Sequence, residues 1–411
     1  MDLLTIITVL IFISAAFSYF NQRFIKLPGT IGVMSISIVV SLIILIIGKI
    51  SNRSTGLIIT LAHSIDFSKL LLDVMLGFLL FATALHFDSK KLKELRRPVI
   101  VLSTIGVIVS ASVFGILLYG ITLLLHINLP LIYCFIFGAL ISPTDPIAVA
   151  SILKKSRISP TFDTIISGES LFNDAVGLIL FVVFLDVANQ SDAGFSLGIT
   201  LKLFAREVVG GTALGLITGY VGYRLIKSIT DFQTIFLITI SLVFFISLIA
   251  NYIHASVPLS VVAAGLVIGN QNFGKEHPAQ QYLSQVWQLF DAVLNTILFV
   301  MIGLQLVLLP FLNNYWMIGL LSIVVILIAR IVSVSLPAFV MVRKLSFGNL
   351  FILTWAGLRG GISIAMALSP PPSHYREIIL SCCYFIVIFS VIVQGLTLNK
   401  LVEKIENNKA V

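Results

Sequence analysis

Three acidic residues, Asp145, Glu169 and Asp174, lie near the middle of two apolar stretches that are each long enough to cross a lipid bilayer. An ionised side chain at that depth costs at least about 2.5 kcal/mol on insertion scales. Acidic residues in such positions mark ion pathways, proton relays or buried ion pairs. The chemistry expected here is therefore the binding of a cation or a proton inside the membrane.

The first stretch is interrupted by two prolines, Pro143 and Pro146, which flank Thr144 and Asp145. Proline removes a backbone donor and clashes with the preceding turn, so the helix is predicted to unwind here. Unwound backbone at membrane depth is tolerated where it lines a watery cavity, and transporters use the freed carbonyl groups to hold ions. We therefore predict an ion site that includes Asp145 and Asp174.

The second stretch has a polar face. Its members stand at positions i, i+1, i+4 and i+5, which form two adjacent stripes on a helix: Glu169, Ser170, Asn173 and Asp174. A hard monovalent cation prefers oxygen ligands, and the Asp174 carboxylate, the Ser170 hydroxyl and a freed carbonyl of Thr144 can supply them. A proton competes for the same carboxylate, and in a protein with alternating access this competition produces antiport.

Glu169 needs a cationic partner, because a buried unpaired charge is expensive. Two arginines within apolar stretches can neutralise it, Arg330 and Arg359, and the sequence leaves that choice open. Asp145 has a structural alternative as well, since it could cap the interrupted helix.

The composition indicates a polytopic helical membrane protein. Of 411 residues 58% are hydrophobic and 11% are charged, and the mean hydropathy is +1.09. The net charge of +8 does not indicate a nucleic-acid partner, because the basic residues form short clusters between apolar stretches. With the N-terminus outside and the C-terminus in the cytoplasm, the inner loops hold about three times as many basic residues as the outer loops.

Apolar stretches of about 20 residues predict thirteen transmembrane helices. They lie near residues 2–20, 28–48, 68–88, 98–125, 131–153, 161–187, 200–225, 232–252, 257–271, 282–310, 315–341, 347–369 and 376–399. Few residues follow the last of them, so no soluble C-terminal domain is expected.

The twelfth predicted helix is also weakened at its centre, where Gly357, Gly360 and Gly361 surround Arg359. Interrupted helices at corresponding places in two halves of a chain indicate an inverted-repeat transporter with its site at the midplane. Helices 1–6 and 8–13 would form the two repeats, with helix 7 as their connector.

Several motifs occur in order along the chain. They are Thr144-Asp145-Pro146, Gly168 to Asp174, Phe299 to Gln305, Arg330, and Gly357 to Gly361. Through them, nearly the whole sequence resembles the first family of monovalent cation:proton antiporters, which includes bacterial sodium/proton exchangers and animal sodium/hydrogen exchangers.

The resemblance implies an all-α fold in which helices 5 and 12 are unwound and cross at the midplane. It implies one transmembrane antiporter domain over residues 1–411, with a core part near 98–187 and 315–399. The dimerisation part is then near 1–88 and 200–310. A homodimer and an elevator-like movement of the core are also implied.

The resemblance further implies roles for single residues. Asp174 is expected to bind Na⁺ and protons in turn, with Ser170 and Thr144 as further ligands and Glu169 paired with Arg330. The adjacent Asn173 and Asp174 imply electroneutral exchange. The chain departs from many bacterial members in having no carboxylate between Leu80 and Leu85, which leaves the ion preference open.

We therefore expect an antiporter of Na⁺, with Li⁺ and K⁺ as alternatives, and protons in the cytoplasmic membrane, serving pH homeostasis. Its expected partners are small cations, membrane lipid and a second copy of itself, with no resident cofactor and no enzymatic activity. A cation channel is an alternative, but the sequence has no repeated filter loops. An intramembrane aspartyl protease is a weaker one, because Ser170 to Asn173 do not form the Gly-x-Gly motif that precedes its aspartate.

Overall fold

The computed structural model describes residues 3–50, 66–145, 160–189, 197–271, 273, 282–306, 315–340 and 347–409, and the regular structure in these ranges is helical. Within them, nine helices are long and apolar enough to cross a membrane, and two shorter apolar helices are Leu131–Ile141 and Val257–Gly269. The chain is thus an all-α, multi-pass membrane protein. The total of thirteen spans stays a prediction.

The helices are labelled in chain order, and short π-helical turns continue several of them. The first are α1 (Leu3–Phe20), α2 (Gly29–Ile50), α3 (Phe67–Lys69, Leu70–Met75 and Leu76–His86), α4 (Ser89–Val101, Leu102–Gly106 and Val107–Leu124), α5 (Leu131–Ile141), α6 (Pro160–Asn189) and α7 (Leu197–Ala205, Arg206–Gly210 and Gly211–Lys227). The others are α8 (Phe232–Ile253), α9 (Val257–Gly269), α10 (Ser284–Leu306), α11 (Trp316–Val340), the two halves of α12 (Phe347–Trp355 and Gly361–Leu368) and α13 (His374–Phe389, Ser390–Gln394 and Gly395–Lys409).

Polar side chains decide where several helices begin. Asp231 accepts a hydrogen bond from the backbone N–H of Thr234 at 2.8 Å at the start of α8. Ser373 accepts one from the backbone N–H of Arg376 at 3.2 Å at the start of α13. Such caps satisfy backbone donors that have no partner within the helix, so they stabilise these starting points.

The start of α4 differs from the prediction, which began this helix near residue 98. Residues before that point form further helical turns, capped by Asp88, whose carboxylate accepts from the backbone N–H of Lys90 at 2.9 Å. Leu95 has non-helical angles, with φ −105° and ψ 15°, and kinks the helix. Pro98 explains the kink, because it has no N–H and its ring crowds the preceding turn. The turns before the kink hold few apolar residues among many charges, so a search for long apolar stretches did not reveal them.

Two interruptions bring non-helical backbone into the middle of the bundle. Residues 142–145 follow the end of α5 without helical structure, and residues 356–360 separate the two halves of α12. The backbone N–H of Asp145 donates to the carbonyl of Leu358 at 2.8 Å, so the two interruptions are in direct contact. Pro146 and residues 147–159 lie outside the described residues. The midplane crossing and the inverted repeat therefore stay predictions.

The helices pack in two groups. We call α4, α5, α6, α11, α12 and α13 the core group, because α4 packs against α5, α6 and α11, while α13 packs against α11 and the second half of α12. We call the others the scaffold group, in which α9 packs against α3, α7 and α8, and α10 packs against α1, α2 and α3. The groups meet where α6 contacts α9 and where α3 and α10 contact the second half of α12.

Gly138 permits a close approach of α5 to α4, and this contact can be tested. A Cβ atom at Gly138 would lie 3.0 Å from the carbonyl carbon and 3.1 Å from the Cα of Ala111. Because backbone atoms yield less easily than a flexible side chain, we expect Gly138→Ala to lower the free energy of unfolding by about 1–3 kcal/mol. The measurement is the unfolding temperature of the purified protein in detergent.

Gly120→Ala in α4 is the matched control, because nothing lies within 4 Å of a Cβ atom added there. It should keep or slightly raise the unfolding temperature, since alanine favours a helix over glycine. Equal unfolding temperatures for the two variants would contradict the close contact at Gly138.

Candidate ion-binding site

One face of α6 carries four buried polar side chains, each at most 3% exposed: Glu169, Ser170, Asn173 and Asp174. This face lies against the non-helical residues 142–145. Gly177, one turn further along α6, allows the close approach, because a Cβ atom there would collide with the ring of Pro143. The polar stripe that the sequence predicts is therefore directed at the interruption after α5.

Thr144 joins this interruption to α6. Its backbone N–H donates to Oδ1 of Asn173 at 3.3 Å, and Nδ2 of Asn173 donates to Oγ1 of Thr144 at 2.7 Å. Oγ1 of Thr144 also lies 2.8 Å from Oγ of Ser170. An unwound segment loses its helical hydrogen bonds, and buried backbone groups need replacement partners. The amide of Asn173 supplies one and holds Thr144 in place.

Glu169 is neutralised by Arg330 of α11. The two terminal guanidinium nitrogens contact the two carboxylate oxygens, with Nη2 and Oε2 at 3.0 Å. Nη2 also donates to the carbonyl of Leu353 at 3.3 Å. Gly357 leaves space for this guanidinium, because a Cβ atom there would lie 2.8 Å from Nε. Such two-point pairing is the strong geometry for arginine and carboxylate, and it links α6 to α11 and α12.

Arg359, the other candidate partner of Glu169, has a different role in the described residues. Its Nη1 donates to the carbonyl oxygens of Ser142 and, at 2.7 Å, of Pro143. Its backbone N–H donates to Oγ of Ser390 at 2.8 Å. The end of a helix carries partial negative charge on its free carbonyl groups, so a guanidinium there is stabilising. Arg359 therefore joins the interruption of α12 to the end of α5.

A cavity of about 30 Å³ lies where the core and scaffold groups meet, and it has room for about one water molecule. The core group contributes Pro143, Thr144, Asp145, Asp174, Gly360, Gly361, Ile362 and Ser363 to its wall, and the scaffold group contributes Leu76, Leu79, Leu80, Thr83, Asn295 and Leu298. Gly360 is needed at this point, because a Cβ atom there would collide with the carboxylate of Asp145.

Asp174 lines this cavity and carries an oxygen that no hydrogen bond from a described residue uses. Its Oδ2 is buried and has no hydrogen-bond partner among the described residues. Leaving a buried acceptor unsatisfied costs free energy, and more when the group is charged. A proton or a small cation at Oδ2 would satisfy it. The arrangement can therefore bind one or the other at this atom.

Some of the predicted site residues line the cavity, and others contact a residue that lines it. Thr144, Asp145 and Asp174 line the wall, whereas Ser170 and Asn173 contact Thr144 and are not part of the wall. Direct contact of Ser170 with the cation therefore stays a prediction.

Three polar wall residues were not predicted from the sequence as part of the site: Thr83 of α3, Asn295 of α10 and Ser363 of α12. Asn295 had a recognisable signal, because it stands four residues after Asp291 in an otherwise apolar helix. Serine and threonine are common in apolar helices, so the other two had no such signal.

The sequence matches the family described as sodium/hydrogen exchanger, transmembrane, over residues 9–404. The Na(+)/H(+) antiporter NhaP of Pseudomonas aeruginosa is 36% identical over 98% of this chain and 97% of that protein. The Na(+)/H(+) antiporter NhaH of Halobacillus dabanensis is 29% identical over 93% of each. The solved structure of the sodium proton antiporter MjNhaP1 from Methanocaldococcus jannaschii at pH 8 has the same fold, with a TM-score of 0.80 over 98% of this chain and 99% of that chain at 20% identity.

The Glu169–Arg330 pair can be tested by removing the arginine. We expect Arg330→Ala to lower the free energy of unfolding by about 3–5 kcal/mol, because Glu169 would be left buried without its partner. The measurement is thermal unfolding in detergent. Arg224→Ala on the exposed side of α7 removes the same side chain from an accessible position and should leave stability near that of the wild type. Equal stability of the two variants would contradict a structural role for the pair.

Proposed function

Because this chain belongs to the sodium/hydrogen exchanger family, we propose that it exchanges Na⁺ for protons across the cell membrane. Membership places it among transporters, not enzymes, so the aspartyl protease alternative is set aside. The names of its relatives support Na⁺ as the cation. Li⁺ and K⁺ remain alternatives, because oxygen ligands alone separate these ions poorly. Such exchange would serve pH homeostasis.

The observation that carries the proposal is the unpartnered Oδ2 of Asp174 at the cavity. Glu169, Arg330 and Arg359 have partners of their own, so Asp174 is the group whose occupancy can change without breaking an ion pair. Na⁺ and a proton cannot occupy this oxygen together. Their competition at Asp174, with access first from one side and then from the other, couples the two fluxes.

We propose that the exchange is electroneutral, with one Na⁺ moved against one proton. Asn173, next to Asp174, is an uncharged amide whose Nδ2 and Oδ1 are both engaged with Thr144. It therefore adds no carboxylate to the site beyond Asp145 and Asp174. This supports a single exchangeable position at Asp174.

We propose that residues 98–187 and 315–399 move together against residues 1–88 and 200–310 in an elevator-like step. The contacts within the site support this division, because Glu169–Arg330, Asn173–Thr144 and Arg359–Pro143 all join helices of the core group. The cavity lies against the scaffold group. If the core group moved as one unit, the contacts within the site would be preserved. The part of the scaffold group that lies opposite the site would change.

A homodimer and the orientation of the chain are further proposals. The homodimer rests on the resemblance to the family. The N-terminus outside and the C-terminus in the cytoplasm rest on the excess of basic residues in the inner loops.

The function can be tested by flux measurements in proteoliposomes of the purified protein. We expect added Na⁺ to dissipate an imposed pH gradient at a rate that does not change with an imposed membrane potential. A rate that follows the potential would contradict electroneutral exchange. Na⁺ flux down its gradient without proton movement would favour the channel.

Asp174→Asn should abolish this exchange and leave the unfolding temperature near that of the wild type, because an amide cannot take up the proton or bind Na⁺ as strongly. Asp163→Asn is the matched control, since it makes the same chemical change at an exposed position in the first turn of α6. It should exchange at the wild-type rate. Na⁺-driven recovery of pH by Asp174→Asn would show that the exchange site is elsewhere.

A further inference from the structure

We propose that Asn295 and Thr83, on the scaffold group, supply neutral oxygen ligands to the cation at Asp174 and help to set which cation is preferred. This inference rests on the proposed function and deepens it. It concerns the wall of the cavity opposite the core group, where α3 has no carboxylate between Leu80 and Leu85.

The side-chain oxygen of Asn295 is the group that can serve as a ligand at the cavity. Asn295 is 1% exposed and lines the wall. Its Nδ2 donates to the carbonyl oxygen of Asp291 at 2.8 Å and to Oδ1 of the same residue at 3.0 Å. Both partners are acceptors, so the NH₂ end of the amide must face them. Oδ1 accepts no hydrogen bond from any described residue.

Thr83 presents an oxygen for a similar reason. Its hydroxyl donates to the carbonyl of Leu79 at 2.9 Å, one turn back in α3, which uses its only donor. The lone pairs of Oγ1 remain. The rest of the scaffold wall consists of leucine side chains: Leu76, Leu79, Leu80 and Leu298. The scaffold wall is therefore apolar except at Asn295 and Thr83. In both residues the donors are engaged in hydrogen bonds, and an acceptor oxygen is left.

An acceptor without a donor partner matches a cation and not an anion. The core wall supplies negative charge through Asp145 and Asp174. The scaffold wall adds oxygen dipoles without adding charge. In ion-selective sites the number and strength of such dipoles contribute to the choice between ions. Neutral ligands here would change the preference among Li⁺, Na⁺ and K⁺ and leave the charge balance of exchange unaltered.

These two oxygens belong to helices that are anchored in the scaffold. Trp287, two turns before Asn295 in α10, packs against Phe81 of α3 in a tilted arrangement with 4.8 Å between the ring centroids. Its Nε1 donates to Oγ1 of Thr239 in α8 at 3.0 Å. α3, α8 and α10 are thus tied to one another near the site. When the core group moves in the proposed cycle, Asn295 and Thr83 stay behind, so they act on the cation on one side of the cycle.

The test uses Asn295→Leu and Thr83→Val, each close in shape to the residue it replaces but without the oxygen. Proteoliposomes of the full chain are assayed for proton flux at graded Na⁺, Li⁺ and K⁺ concentrations. We expect Asn295→Leu to raise the half-saturating Na⁺ concentration about three- to tenfold, the effect of losing one interaction of hydrogen-bond strength. We also expect the ratio of half-saturating concentrations between Na⁺ and K⁺ to change, with a smaller change of the same kind in Thr83→Val.

Thr296→Val is the matched control, because it removes a hydroxyl from the same turn of α10 at a position that does not line the cavity. It should keep the wild-type concentrations and ratio. If Asn295→Leu does not fold, Thr83→Val decides, since its hydroxyl bonds only within its own helix.

Two results would overturn the inference. One is unchanged half-saturating concentrations for all three ions in both variants. The other is a lower maximum rate with an unchanged ion ratio, which is the result expected of a purely structural role. Failure of the proposed function would look different, because the wild-type protein itself would then show no cation-dependent proton flux.

Discussion

A charged side chain inside a membrane-spanning bundle needs a partner, and this constraint organises the centre of the molecule. Glu169 is paired with Arg330, which fastens α6 to α11. Arg359 is paired with carbonyl oxygens at the end of α5 and so fastens the two interrupted segments to each other. These partners leave Asp174 as a buried carboxylate with an unpaired oxygen. The site is therefore defined as much by the charges already satisfied around it as by Asp174 itself.

The interruptions of α5 and α12 are stable because their exposed backbone groups find partners. Backbone donors and acceptors have no water to bond in the interior of such a bundle, so each one that leaves a helix needs a replacement. The carbonyl of Leu358 accepts from the backbone of Asp145, and the backbone N–H of Thr144 donates to Asn173. Glycine permits this crowding at Gly360, where any side chain would displace the carboxylate of Asp145. The interruptions of the two helices are therefore held in a fixed geometry by these contacts.

The sequence predicts much of this arrangement, and its failures have physical causes. Helices such as α8 were predicted within a residue or so, because a long apolar stretch bounded by a capping Asp231 is a strong signal. The first turns of α4 were missed, because they are too rich in charged residues to count as part of an apolar stretch. The polar face of α6 follows from spacing alone. The partner of Glu169 does not, since the choice between two arginines depends on packing between distant segments. Asn295 has a local signal in its spacing from Asp291, but only the fold brings α10 to the cavity. The resemblance to the family is confirmed. It predicted more of the arrangement than the spacing of apolar residues did.

The charged groups described above also bear on the empty state of the proposed transporter. Counted as formal charges, Asp145, Glu169 and Asp174 contribute three negative charges to the site, and Arg330 and Arg359 contribute two positive ones. One bound Na⁺ or one bound proton makes the sum zero. An empty site keeps an uncompensated charge, which in an apolar setting costs at least about 2.5 kcal/mol. In the proposed cycle, the loaded forms can cross while the empty form is held back. In that proposed cycle, the charge balance around the site would limit the return of an empty carrier, and with it the loss of either ion gradient.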